Sequence, residues 1–532
     1  MVNIENLTLG QILEKSAAES PDKVAIVDGE RRTTYAELNA GADALAAGLA
    51  GLGFEKGDRV AIYMKNCVEL VTAFYALQKI GVVVVWINAL YRVHEAEFIL
   101  KNSEAKGLFI FNQWDGYDYL AEIQKTKLPE LEHILVAGSG QGTAVIDYDH
   151  FIDSNRGKAL PAVSIDYQKD LGMLLYTSGT TGRPKGAMIR HYAAVRAGRE
   201  YALGTGASAD DIFIGILPMS HSYGCGSVLV QPILLQATLV LMDKFEVERA
   251  FQLIEREKIT LQMGAPPHYI LELNHKSRPD YNLSSLRAGL IAGMIAPEGL
   301  ISRVQKEMGV YLTSFWGATE VGPGLATMCP YPSALDVREK YVGLPIEGTQ
   351  MQVVEPVTQK PLPDGEIGEL TIRGWHVMQG YWKNPAETAK QIVEGWLFMG
   401  DLASRDENGY FKIYGRTKDL INRGGYKIYP YELESLIIDH PKVEQVAVVA
   451  TPNPVLGESI CACVIPFDDE TLTLREIREF LQDKIAPHKL PDELCIMGDF
   501  PKLSGGVKLK KFGQGGLTEL AAQDDTRERI RK

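Results

Sequence analysis

Apolar residues along this chain alternate between two spacings. Thr34 and Glu37 stand three apart, as in a capping box, and Leu38, Leu45, Leu49 and Leu52 follow on one side of a 3.6-residue period. That pattern predicts a helix. Gly57 and Asp58 lead into a strand pattern at 59–64, and residues 68–80 predict a second helix. The unbroken apolar run 82–87 reads as a parallel strand buried on both faces. Strand patterns recur near 107–111, 133–137, 171–175 and 260–263, with a helix pattern at 247–258. Strands alternating with helices predict an α/β fold with largely parallel sheets.

The texture changes twice further on. Residues 341–374 hold short β-rich runs separated by Glu347-Gly348 and Pro363-Asp364-Gly365, which predicts a small β region, and 410–414 adds another strand pattern. After Gly415 the pattern is α+β: helix at 432–439, strands at 445–450 and 460–465, helix at 474–484. The charged segment 415–419 is the expected boundary, giving a large domain 1–415 and a small domain 416–532. The tail, 517–532, is charged and is expected to fray. Gly138-Ser139-Gly140-Gln141-Gly142 looks like a dinucleotide turn, but 145–149 reads as extended rather than helical, so a surface turn is expected.

Composition narrows the function. The chain has 532 residues, 45% of them hydrophobic, and a net charge of −13, which argues against a nucleic-acid partner held by the overall field. The start shows no signal-peptide pattern, and the longest apolar run falls far short of the roughly 20 residues that span a bilayer. A cytoplasmic protein without a transmembrane segment is expected. None of the six cysteines has zinc-ligand spacing; Cys461 and Cys463 lie two apart and face one side of a strand, as buried free thiols.

Residues 176–186, Tyr-Thr-Ser-Gly-Thr-Thr-Gly-Arg-Pro-Lys-Gly, carry the chemistry. A strand runs into a loop with little side-chain bulk and many backbone N–H groups. Thr177, Ser178, Gly179, Thr180, Thr181 and Gly182 can donate to a polyphosphate, while Arg183 and Lys185 supply positive charge. It is not a Walker A loop, because Lys185 stands three residues after Gly182 and precedes Gly186 rather than Ser or Thr.

Four more motifs follow in order: Trp316-Gly317-Ala318-Thr319-Glu320; Gly395 to Asp401; Gly415-Arg416-Thr417-Lys418-Asp419 with Gly424-Gly425-Tyr426; and Pro501 to Lys511. With the loop at 176 they resemble the adenylate-forming superfamily of acyl-CoA synthetases, adenylation domains and firefly luciferase, over nearly the whole chain and most like a bacterial acid:CoA ligase. The resemblance implies a large N-terminal domain and a small mobile C-terminal domain that rotates about Lys418. ATP, Mg²⁺ and coenzyme A are the implied cofactor and co-substrates. Trp316 is then the adenine face, with Gly317 next to it also in the ATP site, Thr319 a donor to the α-phosphate, and Glu320 a hard oxygen ligand for Mg²⁺. Asp401 can accept from both ribose hydroxyls, with Arg416 as the second ribose contact. Gly424, Gly425 and Tyr426 line the implied pantetheine tunnel. The last motif departs from the common Ser/Thr-Gly-Lys and is similar to a variant of fatty-acid transport-type synthetases. Lys508 is therefore the expected catalytic lysine, with Lys510 and Lys502 as alternatives.

The same resemblance puts the acyl pocket at His221, Tyr223, Gly293, Met294, Val321, Gly322 and Gly324, with His221 also among the catalytic residues. These side chains are mostly apolar or small, and an unpaired buried polar group is costly. The expected partner is a compact apolar carboxylic acid: alicyclic, aromatic or medium-chain. A homodimer is compatible with the chain. Two other readings stay open: a stand-alone adenylation enzyme that loads a separate carrier protein, and a nucleotide-binding homologue without catalysis.

Overall fold

The computed structural model describes residues 6–138, 145–177, 184–468, 470–502 and 509–530. They fall into two compact units. The first comprises Met1–Met351, Ile372–Leu397 and Gly409–Phe411, and the second Gln352–Thr371, Phe398–Asn408 and Lys412–Lys532. The boundary expected between 415 and 416 therefore falls inside the second unit, which also takes two earlier stretches of the small β region.

Two seven-stranded sheets build the first unit. In one, Val83–Trp86 lies between Arg59–Tyr63 and Leu171–Thr177, parallel to both, with Ala61 opposite Val85 and Leu175 opposite Trp86. All four residues of the central strand are buried, as its unbroken apolar run requires. Two helices follow the expected spacings, Tyr35–Gly51 and Val68–Lys79. Thr34 and Glu37 close the capping box on the first: the Glu37 carboxylate accepts from Thr34 N at 2.8 Å, and Thr34 Oγ1 accepts from Glu37 N at 3.2 Å. The other sheet runs Tyr311–Ser314, Ala288–Ile291, Leu261–Gly264, Ile212–Gly215, Thr238–Leu241, Val24–Asp28 and Arg31–Thr34, parallel but for its last strand.

In the second unit, Val443–Asn453 and Gly457–Pro466 form a long antiparallel hairpin, with Glu493–Ile496 parallel to the second strand. Helices Pro430–Ile437 and Leu474–Leu481 cover one face through Leu433, Ile437, Ile477 and Leu481 against Val448, Ile460 and Val464. Cys461, Cys463 and Cys495 lie on the other face, all free and buried.

Two expectations are corrected. The tail is ordered through residue 530: Leu517–Gln523 is a helix whose Leu517 and Ala521, four residues apart, are buried on one side. Glu528–Arg529 then pairs with Glu493–Ile496, and Arg527 and Arg529 both reach the Glu493 carboxylate. Two of the tail's charges are thus paired rather than solvated. Residues 145–149 are not one extended piece either. A short strand, Ile146–Asp147, gives way to helix Tyr148–Asn155, whose N-cap Asp147 accepts from His150 N at 2.8 Å. Residues 139–142 of the preceding glycine string lie outside the described residues.

Candidate functional site

The glycine-rich segment is the tip of a β-hairpin. Leu171–Thr177 pairs antiparallel with Lys185–Arg190, and Thr177 stands opposite Lys185. Those two residues are the feet of the loop; Ser178, Gly179, Thr180, Thr181, Gly182 and Arg183 lie outside the described residues. Lys185 forms a close ion pair with Glu387, which holds that carboxyl below its usual pKa. Glu387 sits in the first turn of helix Pro385–Gln391, capped by Asn384, whose Oδ1 accepts from Glu387 N at 3.1 Å. The ammonium also lies 5.3 Å from the ring centre of Tyr381.

Glu320 follows the strand Tyr311–Ser314 in a turn and is 8% exposed. Tyr381 donates its hydroxyl to Glu320 Oε1 at 2.7 Å. Residues 376–382 run beside both elements: Met378 N donates to Glu320 O at 2.9 Å and Gly322 N to His376 O at 3.0 Å, while Trp382 N donates to Gly186 O at 2.7 Å and Met188 N to Gly380 O at 3.0 Å. One extended segment thus ties the glycine-rich hairpin to the acidic turn. Neither Tyr381 nor Glu387 was among the expected site residues. The Asn-Pro-x-Glu capping pattern at 384–387 was the available signal for the second; for Tyr381 there was none, since its partner lies sixty-one positions away.

The remaining expected residues of this unit are placed as follows. Thr319 is half-buried, its hydroxyl 3.3 Å from Ser222 Oγ. Trp316 is buried, with its backbone N donating to Thr327 Oγ1 at 2.9 Å. Gly317 is forced by packing: a Cβ there would stand 1.8 Å from the Gly324 carbonyl oxygen. Val321 is fully buried, and Gly324 N closes a turn onto Val321 O at 2.8 Å. His221 is exposed and caps a short helical turn, Ser222–Gly224, with Nδ1 accepting from Tyr223 N at 3.2 Å. Tyr223 is buried; its hydroxyl donates to Leu290 O at 3.0 Å and its ring meets Phe315 edge-on at 4.9 Å. Gly293 and Met294 follow the strand Ala288–Ile291 and are both exposed.

In the second unit, buried Asp401 pairs with Arg416 Nε at 2.8 Å. Beside it, Glu369 accepts from Gly400 N at 3.1 Å. Burial raises the Glu369 pKa and the neighbouring Asp401 charge adds to the effect. Lys418 lies in a single 3-10 turn, Thr417–Asp419, with its ammonium 5.2 Å from the Phe512 ring centre. The next residue, Asp419, is carried above its usual pKa by burial, against the pull of Lys511. Gly424 and Gly425 turn the hairpin Ile421–Arg423 to Tyr426–Ile428 with φ of 56° and 89°, left-handed values that favour glycine. Tyr426 is exposed and stacks on His488 at 4.5 Å. Lys508 lies outside the described residues. Of the alternatives, Lys510 donates to Gln514 O and exposed Lys502 stands 3.5 Å from Asp499.

Among the described residues no group of three or more His, Cys, Asp or Glu could hold a metal by itself. A magnesium ion that takes one or two carboxylates and completes its shell with phosphate oxygens and water fits a single buried carboxylate such as Glu320.

Comparison with known proteins shows the family. Residues 13–382 match the AMP-binding enzyme family and residues 432–506 the AMP-binding enzyme C-terminal domain. The chain belongs to the AMP-binding enzyme family and is an adenylate-forming enzyme of the acyl-CoA synthetase and ligase class. It is 32% identical to a medium-chain fatty-acid–CoA ligase of Escherichia coli over 95% of this chain and 89% of that one. It is 31% identical to a long-chain-fatty-acid–CoA ligase of Bacillus subtilis over 96% and 94%. The crystal structure of the anthranilate CoA ligase AuaEII in complex with anthranoyl-AMP superposes with a TM-score of 0.87 at 27% identity, covering 95% of this chain and 96% of that one. No helix among the described residues is long and apolar enough to cross a membrane.

Proposed function

We propose that this protein is an ATP-dependent acid:CoA ligase working in two steps. In the first, a carboxylate oxygen of the acid attacks the α-phosphorus of ATP; the bond to the β-phosphate oxygen breaks and pyrophosphate leaves, giving acyl-AMP. In the second, the sulfur of CoA attacks the acyl carbon, the thiol proton passes to solvent, and AMP leaves to give the thioester. The observation that carries the reading is the tie between hairpin and acidic turn, which sets Lys185, Thr319 and Glu320 on one braced framework. Fixed charge and donors stabilise developing charge without reorganising as it forms.

Within this reading Lys185 and the loop residues hold the phosphates, Thr319 donates to the α-phosphate, and Glu320 would hold Mg²⁺, which supplies charge neutralisation when bound. Trp316 faces the adenine, Asp401 and Arg416 the ribose. Lys508 draws carboxylate and α-phosphate together, Lys418 is the hinge, and Gly424, Gly425 and Tyr426 guide the pantetheine arm. The acid is compact and apolar, an alicyclic, aromatic or medium-chain one. Tyr223, buried, bonded to Leu290 O and packed edge-on against Phe315, is the residue that would bound this pocket.

The test is a pyrophosphate-release screen over carboxylic acids of graded size, run with and without CoA. Pyrophosphate and enzyme-bound acyl-AMP are expected without CoA, and acyl-CoA once free CoA is added. ADP with acyl-phosphate would overturn the two-step reading. Adenylation without acyl-CoA would point to a carrier protein as the acceptor.

A further inference from the structure

Tyr381 stands between the two charges that matter most in the first unit. Its hydroxyl donates to Glu320 Oε1 at 2.7 Å, and the Lys185 ammonium lies 5.3 Å from its ring centre. The tyrosine itself is firmly held. It is 4% exposed, its N–H donates to Thr388 Oγ1 at 2.9 Å, and it forms an antiparallel bridge with Ala187 of the hairpin.

We infer that Tyr381 is a positioning residue for the Glu320 carboxylate, fixing its rotamer and leaving the second oxygen for a divalent cation. This rests on the proposed role of Glu320 as the Mg²⁺ ligand. An ionised carboxylate offers about four lone-pair sites on two oxygens. A phenol occupies one of them without cancelling the charge, whereas a lysine or arginine in that place would neutralise the carboxylate and weaken its hold on a cation. The nearby cation, Lys185, is instead paired with Glu387 and meets only the face of the tyrosine ring. Tyr381 thus orients the carboxylate and takes the place a cation would otherwise fill. Such outer partners of a metal ligand typically change metal affinity by roughly ten- to hundredfold when removed.

The experiment measures ATP binding by calorimetry on the full chain, with and without Mg²⁺, and takes the Mg²⁺-dependent gain in affinity as its readout. Wild type, Glu320→Gln and Tyr381→Phe are compared. Glu320→Gln is expected to lose most of the gain, and Tyr381→Phe to raise the Mg²⁺ concentration needed for half of it by roughly tenfold, each keeping the Mg²⁺-free affinity for ATP. A 3,5-difluorotyrosine at position 381 keeps the ring and makes the hydroxyl a stronger and more acidic donor, so it serves if Tyr381→Phe folds poorly; measured on the acidic side of neutrality, where the phenol stays protonated, it should move the Mg²⁺ requirement without moving Mg²⁺-free binding. Loss in Glu320→Gln with an unchanged gain in both Tyr381 variants overturns the inference alone. An unchanged gain in Glu320→Gln removes Glu320 as the ligand and the inference with it. Equal losses with and without Mg²⁺ in the Tyr381 variants would mark a general structural role and also overturn it.

Discussion

The two units handle charge in opposite ways. In the first, the charged residues are largely covered and held by fixed partners: Lys185 by Glu387, and Glu320 by Tyr381 of the segment 376–382. In the second, the charges are paired with each other or face solvent. Asp401 spends its carboxylate on Arg416, and Lys418, Gly424 and Tyr426 are exposed. A locked charge suits a group that stabilises a transition state, because no reorganisation is needed as charge develops. A charge that faces solvent, as at Lys418 and Arg416, can change partners at little cost.

The largest loss is expected at Lys508. Lys508→Ala should lower the adenylation rate by roughly a hundred- to a thousandfold, the scale of losing one preorganised charge stabiliser. It should leave conversion of supplied acyl-AMP and CoA to thioester intact. Rapid-quench assays of the two half-reactions check both halves of the statement. Lys510→Ala or Lys502→Ala losing adenylation instead would move the role to that lysine; their contacts with Gln514 and Asp499 argue that they are engaged elsewhere.

A middle-sized effect is expected at Asp401. Asp401→Ala removes a charged acceptor worth roughly 1.5–3 kcal/mol, which is about ten- to a hundredfold in ATP affinity. Titration with ATP reads it directly. Because Arg416 is the partner of Asp401 in the structure, Arg416→Ala should cost less, and a larger loss from Arg416→Ala than from Asp401→Ala would reverse the assignment of the ribose contact.

The smallest effect on activity is expected at Glu272, which reports on the stability of the first unit's core. Glu272 is fully buried there, with Gln262 Nε2 2.9 Å from both carboxylate oxygens, and burial pushes its pKa up to about 8. Between the ordinary carboxyl range and pH 8 the unfolded chain carries this group ionised and the folded one protonated. Stability from this residue is therefore complete at low pH and is lost as pH rises toward 8. The slope is at most about 1.4 kcal/mol per pH unit. Thermal melts of wild type and Glu272→Gln across pH 5 to 9 should differ by that slope, and parallel curves would show that Glu272 is ionised in the folded state.

How much of this was legible beforehand depended on how local the signal was. The helix Tyr35–Gly51 could be read from Thr34, Glu37 and a leucine spacing, and the strand Val83–Trp86 from an unbroken apolar run. The five motifs in order pointed to the family that residues 13–382 and 432–506 match. Contacts that close over long distances in the chain were not legible. Tyr381 meets Glu320, and Glu387 meets Lys185, only because 376–382 folds back on the hairpin. The ordered tail failed for a related reason: its charges looked solvated until Glu493 appeared opposite Arg527 and Arg529.

The strand Lys185–Arg190 lies at the end of its sheet, and a strand in that position normally presents unpaired N–H and C=O groups on which another chain can nucleate. Here residues 379–382 take up that outer row: Met188 N reaches Gly380 O, Gln379 N reaches Met188 O, and Trp382 N reaches Gly186 O. The strand that begins at Lys185 is thereby closed to intermolecular pairing along residues 186–188. A proline at Met188 would remove one of these bonds and free the edge, so the enzyme would be expected to self-associate in proportion to its concentration, a hazard unrelated to its chemistry.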